Sequence, residues 1–517
     1  MSRQSPADYE LALQNDELAL HVARIEQSIQ QGRFQDAADL LERYPAASWF
    51  GLQTSRTVEI LQLITSKPDV DSPLLDIIAG MMMSQTSGHF DSPEFLAQLD
   101  AEDSNQMFLL AILRMSDLRI RGYTLDALEQ CDTMESHMGN MQPMFDAQDG
   151  WELQTAVQIG VSAMLAGDFT RALAAFTRAQ IHPPLPKYAF LSRDALVKSA
   201  LIHACFGNKT TARALLQRAK TVPRTSSWVE HHIDEHRDFA QLLLSSDNSD
   251  EALSRLEAVN LHDIGEMWPF YILTIHRVLE AGGHHDELAH RLEIFDSMPF
   301  PRHDGDGFAG SIIPLKRAML AMKTGRGSDA QALLERADPN LPYTQLLQAA
   351  SHIYAGRTQQ AIQQASRLRH ETRGFRLMEI RRLSILAAAQ YQAEDNQECI
   401  ETLKRAAQLP RGLAPTEATL FSPETRELAA NHVPSWQTDN GQPSTFLTGL
   451  PRPGRALTDR EVEIVRQLAR GKSRAQMAQE MFISVNTLKT HLASVYRKLD
   501  VSTAGDAVLS AQRRGLI

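Results

Sequence analysis

A short phrase recurs between residues 32 and 410, and it restricts the fold more than any other feature of the chain. It reads GRFQDAADLLERYP from Gly32, GYTLDALEQCDTM from Gly122, GDFTRALAAFTRAQIHPP from Gly167 and GNKTTARALLQRAKTVP from Gly207. It returns as DNSDEALSRLEAV from Asp247, GRGSDAQALLERADP from Gly325, GRTQQAIQQASRL from Gly356 and EDNQECIETLKRAAQLP from Glu394, with a poorer copy near Gly282 and Gly283. Each copy follows the same physics. A Gly or Asp ends one helix in a tight turn. A small residue (Ala172, Ala212, Ala330, Ala361) lets the next helix lie close to the first, Leu or Phe fills the groove between them, and Pro often ends the pair. After residue 122 the turns lie roughly 30 to 45 residues apart, the spacing of a helical-hairpin repeat.

Phe169, Ala172, Phe176, Ala179 and Pro184 carry a resemblance to tetratricopeptide repeats. Hairpins of this kind cannot bury their apolar faces alone, so the resemblance implies stacking into a superhelix with a concave side. Residues 1–410 are therefore expected to form a tetratricopeptide-like α-solenoid. The low aromatic content of 6% agrees with an all-α chain.

The last sixty residues read differently. Thr458 with Glu461 forms a capping box ahead of Val462, Val465, Leu468 and Ala469, and Gly471 ends that helix. Ser473 with Gln476 is a second box, followed by Met477, Ala478 and Met481. Ser484 caps a third helix with the stripe Leu488, Leu492, Val495 and Leu499. Thr503 with Asp506 starts a fourth, with Ala507, Val508 and Ala511 behind it. Four short helices on short connections must pack closely, as in a helix-turn-helix module.

Opposite its apolar stripe, the third helix presents Asn486, Lys489, Thr490, Ala493, Ser494 and Arg497, with no carboxylate among them. Such a face approaches phosphates without repulsion and fits a major groove. The pieces LTDRE, LARGKS, MAQEMFIS, NTLKTHLASVYRKL and RRGLI make this segment resemble the LuxR-type helix-turn-helix family. That resemblance implies a transcriptional regulator, not an enzyme, acting on double-stranded DNA. It maps base-edge contacts onto Lys489, Thr490 and Ala493, with Asn486 on the same face. It maps backbone contacts onto Ser484, Thr487, His491 and Arg497. It implies a homodimer on DNA, paired through the fourth helix at Val508, Ala511 and Arg514. The family often has Ile at Met477 and Arg at Ala504, so one backbone or intramodule contact differs here.

Helical repeats ahead of a LuxR-type module resemble the back half of MalT-type regulators, in which the repeats sense an inducer or a partner protein. No G-x-x-x-x-G-K-[ST] is present, because Gly471-Lys472-Ser473 lacks the upstream glycine. Nucleotide-driven assembly is therefore not carried over. Between the two parts, residues 411–454 hold Pro415, Pro423, Pro434, Pro443, Pro451 and Pro453 and read as a linker or partial cap. Up to about Trp436 an ordered cap, with Phe421 and Trp436 on the last repeat, competes with a disordered linker. Beyond it disorder is expected. The DNA-reading domain is then 455–517.

Net charge is −11, which alone disfavours nucleic acid. Its distribution reverses that inference. From Gly454 onward there are 11 basic and 6 acidic residues, a surplus of +5, whereas the rest carries 41 against 57, a net −16. An acidic body of this kind is expected to weaken nonspecific DNA binding. No apolar run spans a membrane and the first residues lack a signal core, so a cytoplasmic location is expected. Cys131, Cys205 and Cys399 are far apart and read as buried free thiols.

Other motifs admit a sharp and a plain reading. His232, Glu235 and His236 fit the H-x-x-E-H of zinc peptidases, but no third ligand follows and the surroundings read as a repeat helix. Asp304 and Asp306 hint at a calcium loop without its closing Glu. No metal and no cofactor is expected. Arg367, Arg369, Arg373, Arg376, Arg381 and Arg382 form a basic island in the acidic body. They read either as a solvated face with i,i+4 pairs or as a site for an anionic ligand, a partner or DNA phosphates. Trp151, Trp228 and Trp268 read as core or as the lining of a ligand groove. The alternative to a regulator is a repeat scaffold for protein–protein interaction that docks through its terminal module.

Overall fold

The computed structural model describes residues 16–72, 75, 79, 100–138, 150–181, 184–245, 249–261, 264–436, 444–450 and 457–517. Among them every regular element is helical. The recurrent phrase marks the turn and second helix of successive pairs. Ser104–Arg121 packs on Thr124–Met138, Trp151–Ala166 on Phe169–Arg178, and Ala189–Cys205 on Lys209–Thr221. Gly307–Lys323 packs on Gly327–Glu335, Pro342–Tyr354 on Thr358–Arg367, and Arg376–Gln392 on Asn396–Ala407. The poorer copy is the turn between Trp268–Ala281 and His285–Ser297. The small residues of the phrase sit at the closest approach: Ala172, Ala212, Ala330 and Ala361 are all fully buried.

The two helices of a pair differ in kind. Nearly every residue of Ala189–Cys205, Gly307–Lys323 and Arg376–Gln392 is buried, so these first helices form the inside of the body. Their partners Lys209–Thr221, Gly327–Glu335 and Thr358–Arg367 bury only one stripe and face solvent. A helix apolar on all sides needs neighbours on all sides, and here those neighbours come from other helix pairs. Phe169 stacks on Phe206 at 4.5 Å; Phe206 meets Phe308 at 5.8 Å and Tyr343 at 5.7 Å; Phe169 meets Phe375 at 6.3 Å. The Leu377 N–H donates to the Phe206 carbonyl at 2.9 Å. Over this stretch the inner side is filled by aromatic rings.

Polar ties join the same distant helices. Asp306 accepts from the Thr124 and Leu125 N–H groups at 2.7 and 3.0 Å, capping a helix 182 residues earlier. Gly122 (φ +87°) passes there so closely that a Cβ would stand 2.4 Å from the Pro301 backbone. The calcium-loop reading is thereby replaced: Asp306 is a helix cap, and Asp304 accepts from Arg336 Nε at 2.7 Å. At the other end, Trp228 Nε1 donates to the Trp49 carbonyl at 3.1 Å, which holds the first helices against residues 226–228.

All three tryptophans singled out from sequence pack against neighbouring rings. Trp151 meets Phe108 edge-on at 5.5 Å, Trp268 stacks on Phe300 at 4.6 Å, and Trp228 stacks on Phe50 at 6.2 Å. All three cysteines are buried and free, and burial pushes the Cys205 thiol up to about 11.

Residues 411–436 pack on the last pair. Phe421 is fully buried and meets Trp436 edge-on at 5.1 Å. Arg376 grips both Glu417 carboxylate oxygens at 2.7 Å and the Pro410 carbonyl at 2.8 Å. The disorder expected after Trp436 does not hold for residues 444–450. There Phe446 and Leu447 are buried in the main core, and Tyr354 Oη donates to the Thr448 carbonyl at 2.9 Å. Residues 437–443 and 451–456 lie outside the described residues. The basic island is not one solvated face either. Arg367, Arg369 and Arg373 are exposed, Arg376 holds the cap, and Arg381 and Arg382 are buried because their helix is an inner one.

Candidate nucleic-acid interface

The last domain consists of the helices Asp459–Ala469, Arg474–Glu480, Val485–Leu499 and Ala504–Arg513. Each begins at the capping residue its sequence indicates. Thr458 and Glu461 form a full capping box, as do Ser473 and Gln476. Ser484 accepts from the Thr487 N–H at 3.0 Å and Thr503 from the Asp506 N–H at 3.1 Å. Gly471 adopts φ +70° just after the first helix. The predicted stripe of the third helix is buried throughout, at Leu488, Leu492, Val495 and Leu499. On the first helix one assignment changes: Ile464 is fully buried and Ala469 is exposed, because the helix rotates Ile464 toward Met477 and Leu488.

Ser484, Asn486, Thr487, Lys489, Thr490, Ala493 and Arg497 are all exposed, and His491 is half-buried. They lie along one helix and form one continuous face. The Thr490 hydroxyl donates to the Asn486 carbonyl at 3.2 Å. Ser484 Oγ and Thr487 Oγ1 lie 2.8 Å apart at the helix start, beside its free N–H groups. Two apolar residues that the sequence reading passed over stand at the same end. Phe482 is 95% exposed in the turn before the helix, in a left-handed conformation (φ +55°), and Val485 is also exposed. The cue for Phe482 was its position at the turn of the helix-turn-helix.

Three carboxylates of the domain, Glu461, Glu463 and Glu480, are occupied elsewhere. Glu461 accepts from the Thr458 N–H at 2.8 Å and from Lys498 Nζ at 2.7 Å, binding the first helix to the third. Burial alone would raise the Glu461 carboxyl, but Lys498, the Thr458 N–H and Ser494 outweigh it, so the group lies below the usual carboxylate range. Glu480 pairs with Lys472, and Glu463 accepts from Gln467 at 2.7 Å. The exposed face of the third helix is left with Lys489 and Arg497 as its charges.

The fourth helix departs from expectation. Ala511 is fully buried in the domain's own core with Val465, Val495, Leu499 and Ala507, so its side chain is closed to a second copy. Val508 and Arg514 are half-buried. The outward apolar residue on this helix is Leu509, 54% exposed. The same core takes in Ala355 from the repeats, and the tail after the fourth helix lies on Gly327.

The H-x-x-E-H residues do not converge on one point. His232 Nδ1 faces Glu235 Oε2 at 3.3 Å, partly in solvent, while His236 is buried with neither ring nitrogen partnered. Among the described residues no group of three or more His, Cys, Asp or Glu is arranged to hold a metal ion, and no helix is long and apolar enough to cross a membrane.

Residues 455–511 match the family described as bacterial regulatory proteins, luxR family. The chain is 40% identical over 65 residues to the transcriptional regulatory protein LiaR of Bacillus subtilis, a match covering 13% of this chain and 31% of the relative. It is 48% identical over 46 residues to a nitrate/nitrite response regulator protein homolog of Haemophilus influenzae (9% and 22%), and 38% identical over 61 residues to the response regulator protein VraR of Staphylococcus aureus (12% and 29%). The chain thus spans less than a third of the length of these curated relatives. What the matches identify is the C-terminal part: residues 455–511 are a luxR-family helix-turn-helix domain.

Proposed function

We propose that this protein is a sequence-specific DNA-binding transcriptional regulator of the bacterial cytoplasm, with a tetratricopeptide-like body that receives the signal. The observation that carries the reading is the carboxylate-free, exposed face Asn486–Lys489–Thr490–Ala493–Arg497 on the third helix of a luxR-family domain. In this reading the third helix lies in the major groove. Lys489 reaches a base edge, and Thr490 and Ala493 offer methyl groups to thymine. Ser484, Thr487, His491 and Arg497 hold phosphates, which set register and supply much of the affinity.

Two copies pair on a two-fold site through the fourth helix, on the side that carries Val508 and Leu509. The helix pairs described between residues 17 and 407 support a solenoid like that of MalT-type regulators, and its role is to bind an inducer or a partner protein. The test is fluorescence anisotropy of the full chain on promoter fragments, wild type against Lys489→Ala. Loss of about 1–3 kcal/mol of binding, with relaxed preference at one base pair, is expected. Unchanged sequence-specific binding would reject this docking and favour a repeat scaffold whose terminal domain serves as a docking tail.

A further inference from the structure

The inner helices Trp268–Ala281, Gly307–Lys323 and Arg376–Gln392 bring Arg277, Lys316 and Arg381 together in the middle of the body. Lys316 is 1% exposed, and its ammonium meets the Tyr343 hydroxyl at 2.7 Å and the Met319 sulfur at 3.9 Å. Arg277 donates to the backbone carbonyls of Ala204, at 3.1 Å, and Cys205. Arg381 lies between two rings, its guanidinium carbon 5.9 Å from the centroids of both Tyr343 and Phe446. Its Nε and Nη1 are buried and have no hydrogen-bond acceptor.

Among the described residues none of these three cations pairs with a carboxylate. Glu280 stands nearby and its charge acts on Lys316 and Arg381, but its direct pair is with Lys323, and His276 faces it at 3.9 Å. Burying three cations with no carboxylate of their own and one shared nearby is strongly unfavourable. Burial, with Arg277 adding to it, depresses both Lys316 and Arg381, the latter to about 10, which still leaves the guanidinium charged at neutral pH. A phenolate at Tyr343 would cancel one charge of three. Arginine with unused donors, in an aromatic surround, is the chemistry that receives a planar carboxylate or a phosphate.

We propose that Arg277, Lys316 and Arg381 form a receiving site for a small organic anion bearing a carboxylate or phosphate group, and that this anion is the signal the body reads. The proposal rests on the body being the signal-receiving part. The roof of the site is Phe446, in the segment Ser444–Leu450 that precedes the DNA-reading domain. Lys323 and Tyr354 hold that segment through the carbonyls of Thr445, at 2.6 Å, and Thr448. An anion drawing Arg381 away from Phe446 therefore acts on the segment that leads into the helix-turn-helix.

Thermal unfolding of the full chain tests this, with potassium phosphate and potassium citrate each compared with potassium chloride at matched ionic strength. Wild type is expected to show a saturable rise in Tm of about 2 °C or more with one of the two. Phosphate or citrate as the effective probe tells a phosphate ligand from a carboxylate ligand. Arg381→Met, which keeps the side-chain volume, removes the rise. Lys316→Met, read by intrinsic tryptophan fluorescence, gives a second line should Arg381→Met unfold. Lys489→Ala retains the rise, which separates this site from anion binding at the DNA face. No rise above chloride with either anion, or an equal rise in Arg381→Met, overturns the proposal. Promoter binding by wild type is measured apart from it, so a failed anion site leaves the DNA reading standing.

Discussion

Arg357, in the turn between Pro342–Tyr354 and Thr358–Arg367, donates its Nη1 to the carbonyl oxygen of Gly515 at 3.3 Å, joining the helical body to the end of the luxR-family domain. The contact is extended by Gly327, whose α-carbon faces the backbone of Arg514 and Gly515, and by Ala355, which enters the domain's core. Burial lowers the Arg357 guanidinium, and Arg466 of the first domain helix adds to that. The domain is thus seated on the body through its fourth helix and tail, and the half-buried Arg514 expected at a dimer seam lies within this contact.

Gly327 is the position at which that seat is most easily broken. A Cβ there would stand 2.3 Å from the carbonyl carbon of Arg514 and the nitrogen of Gly515, and backbone cannot yield as a side-chain tip does. Gly327→Ala is expected to release the domain, with a larger radius of gyration in solution scattering and faster hydrogen exchange in Ala504–Arg513. The exposed neighbour Ser328 provides the control, since Ser328→Ala alters no such contact. Scattering curves that superpose for both variants would show that the seat tolerates the extra methyl.

Glu461 makes the domain's stability depend on pH in a defined direction. Its carboxyl lies below the usual range when folded, so its contribution is complete above the unfolded value of about 4.3 and is lost as pH falls through the folded value. Glu461→Gln is expected to speed hydrogen exchange in Val485–Leu499 at pH 7, with the gap to wild type closing once the wild-type carboxyl is protonated. An equal gap at both pH values would deny Lys498 and the cap their role.

His236 acts in the opposite sense to a paired histidine. Burial, then Lys198 and His232, hold its folded value well below 6.5, so the unfolded chain takes up a proton that the folded chain refuses. Its contribution is full above about pH 6.5 and declines as pH falls below it. His21, lowered to about 4, and His276 behave alike, so the whole body should lose stability between pH 7 and 5. His236→Phe is expected to flatten part of that decline in a Tm-against-pH series. A parallel profile would assign the decline to other groups.

Arg376 and Glu417 fasten the cap over the last repeat, with side chains 14% and 9% exposed. Arg376→Ala strands a buried carboxylate and is expected to cost about 3 kcal/mol. The loss should be read locally, as early exposure of Trp436 fluorescence in urea. The double variant with Glu417→Ala should recover part of it. If the single and double variants melt alike, the pair contributes only packing.

Much of this molecule was legible residue by residue. The caps Thr458, Ser473, Ser484 and Thr503 read correctly because a cap is a contact between residues three apart, and the chain order contains it. The exposed face around Lys489 followed from the helical period once Leu488, Leu492 and Val495 were recognised as buried. Ala469 was misjudged for Ile464 because both suit a stripe, and only the packing of the second helix chooses between them. The arginine-rich segment was legible as a basic island but not as three separate things: exposed residues, a clasp on Glu417, and a buried guanidinium between Tyr343 and Phe446.

By itself, the sequence determined that the chain is helical, that its helices come in pairs with an alanine at the contact, and that its last sixty residues form a helix-turn-helix with a cationic outer face. Those properties are set by periodicity, capping and charge within a few turns of chain. Tertiary structure alone decided that the inner side is filled by rings from Phe169 to Phe375, that Asp306 caps a helix at Thr124, and that Arg381 pairs with no carboxylate among the described residues. It also decided that the DNA-reading domain is seated on Gly327 and Arg357. The physical reason is common to all four. Each depends on which groups meet from different helix pairs of the chain, and burial turns an ordinary polar side chain into a cap, a seat or a charge in need of a partner.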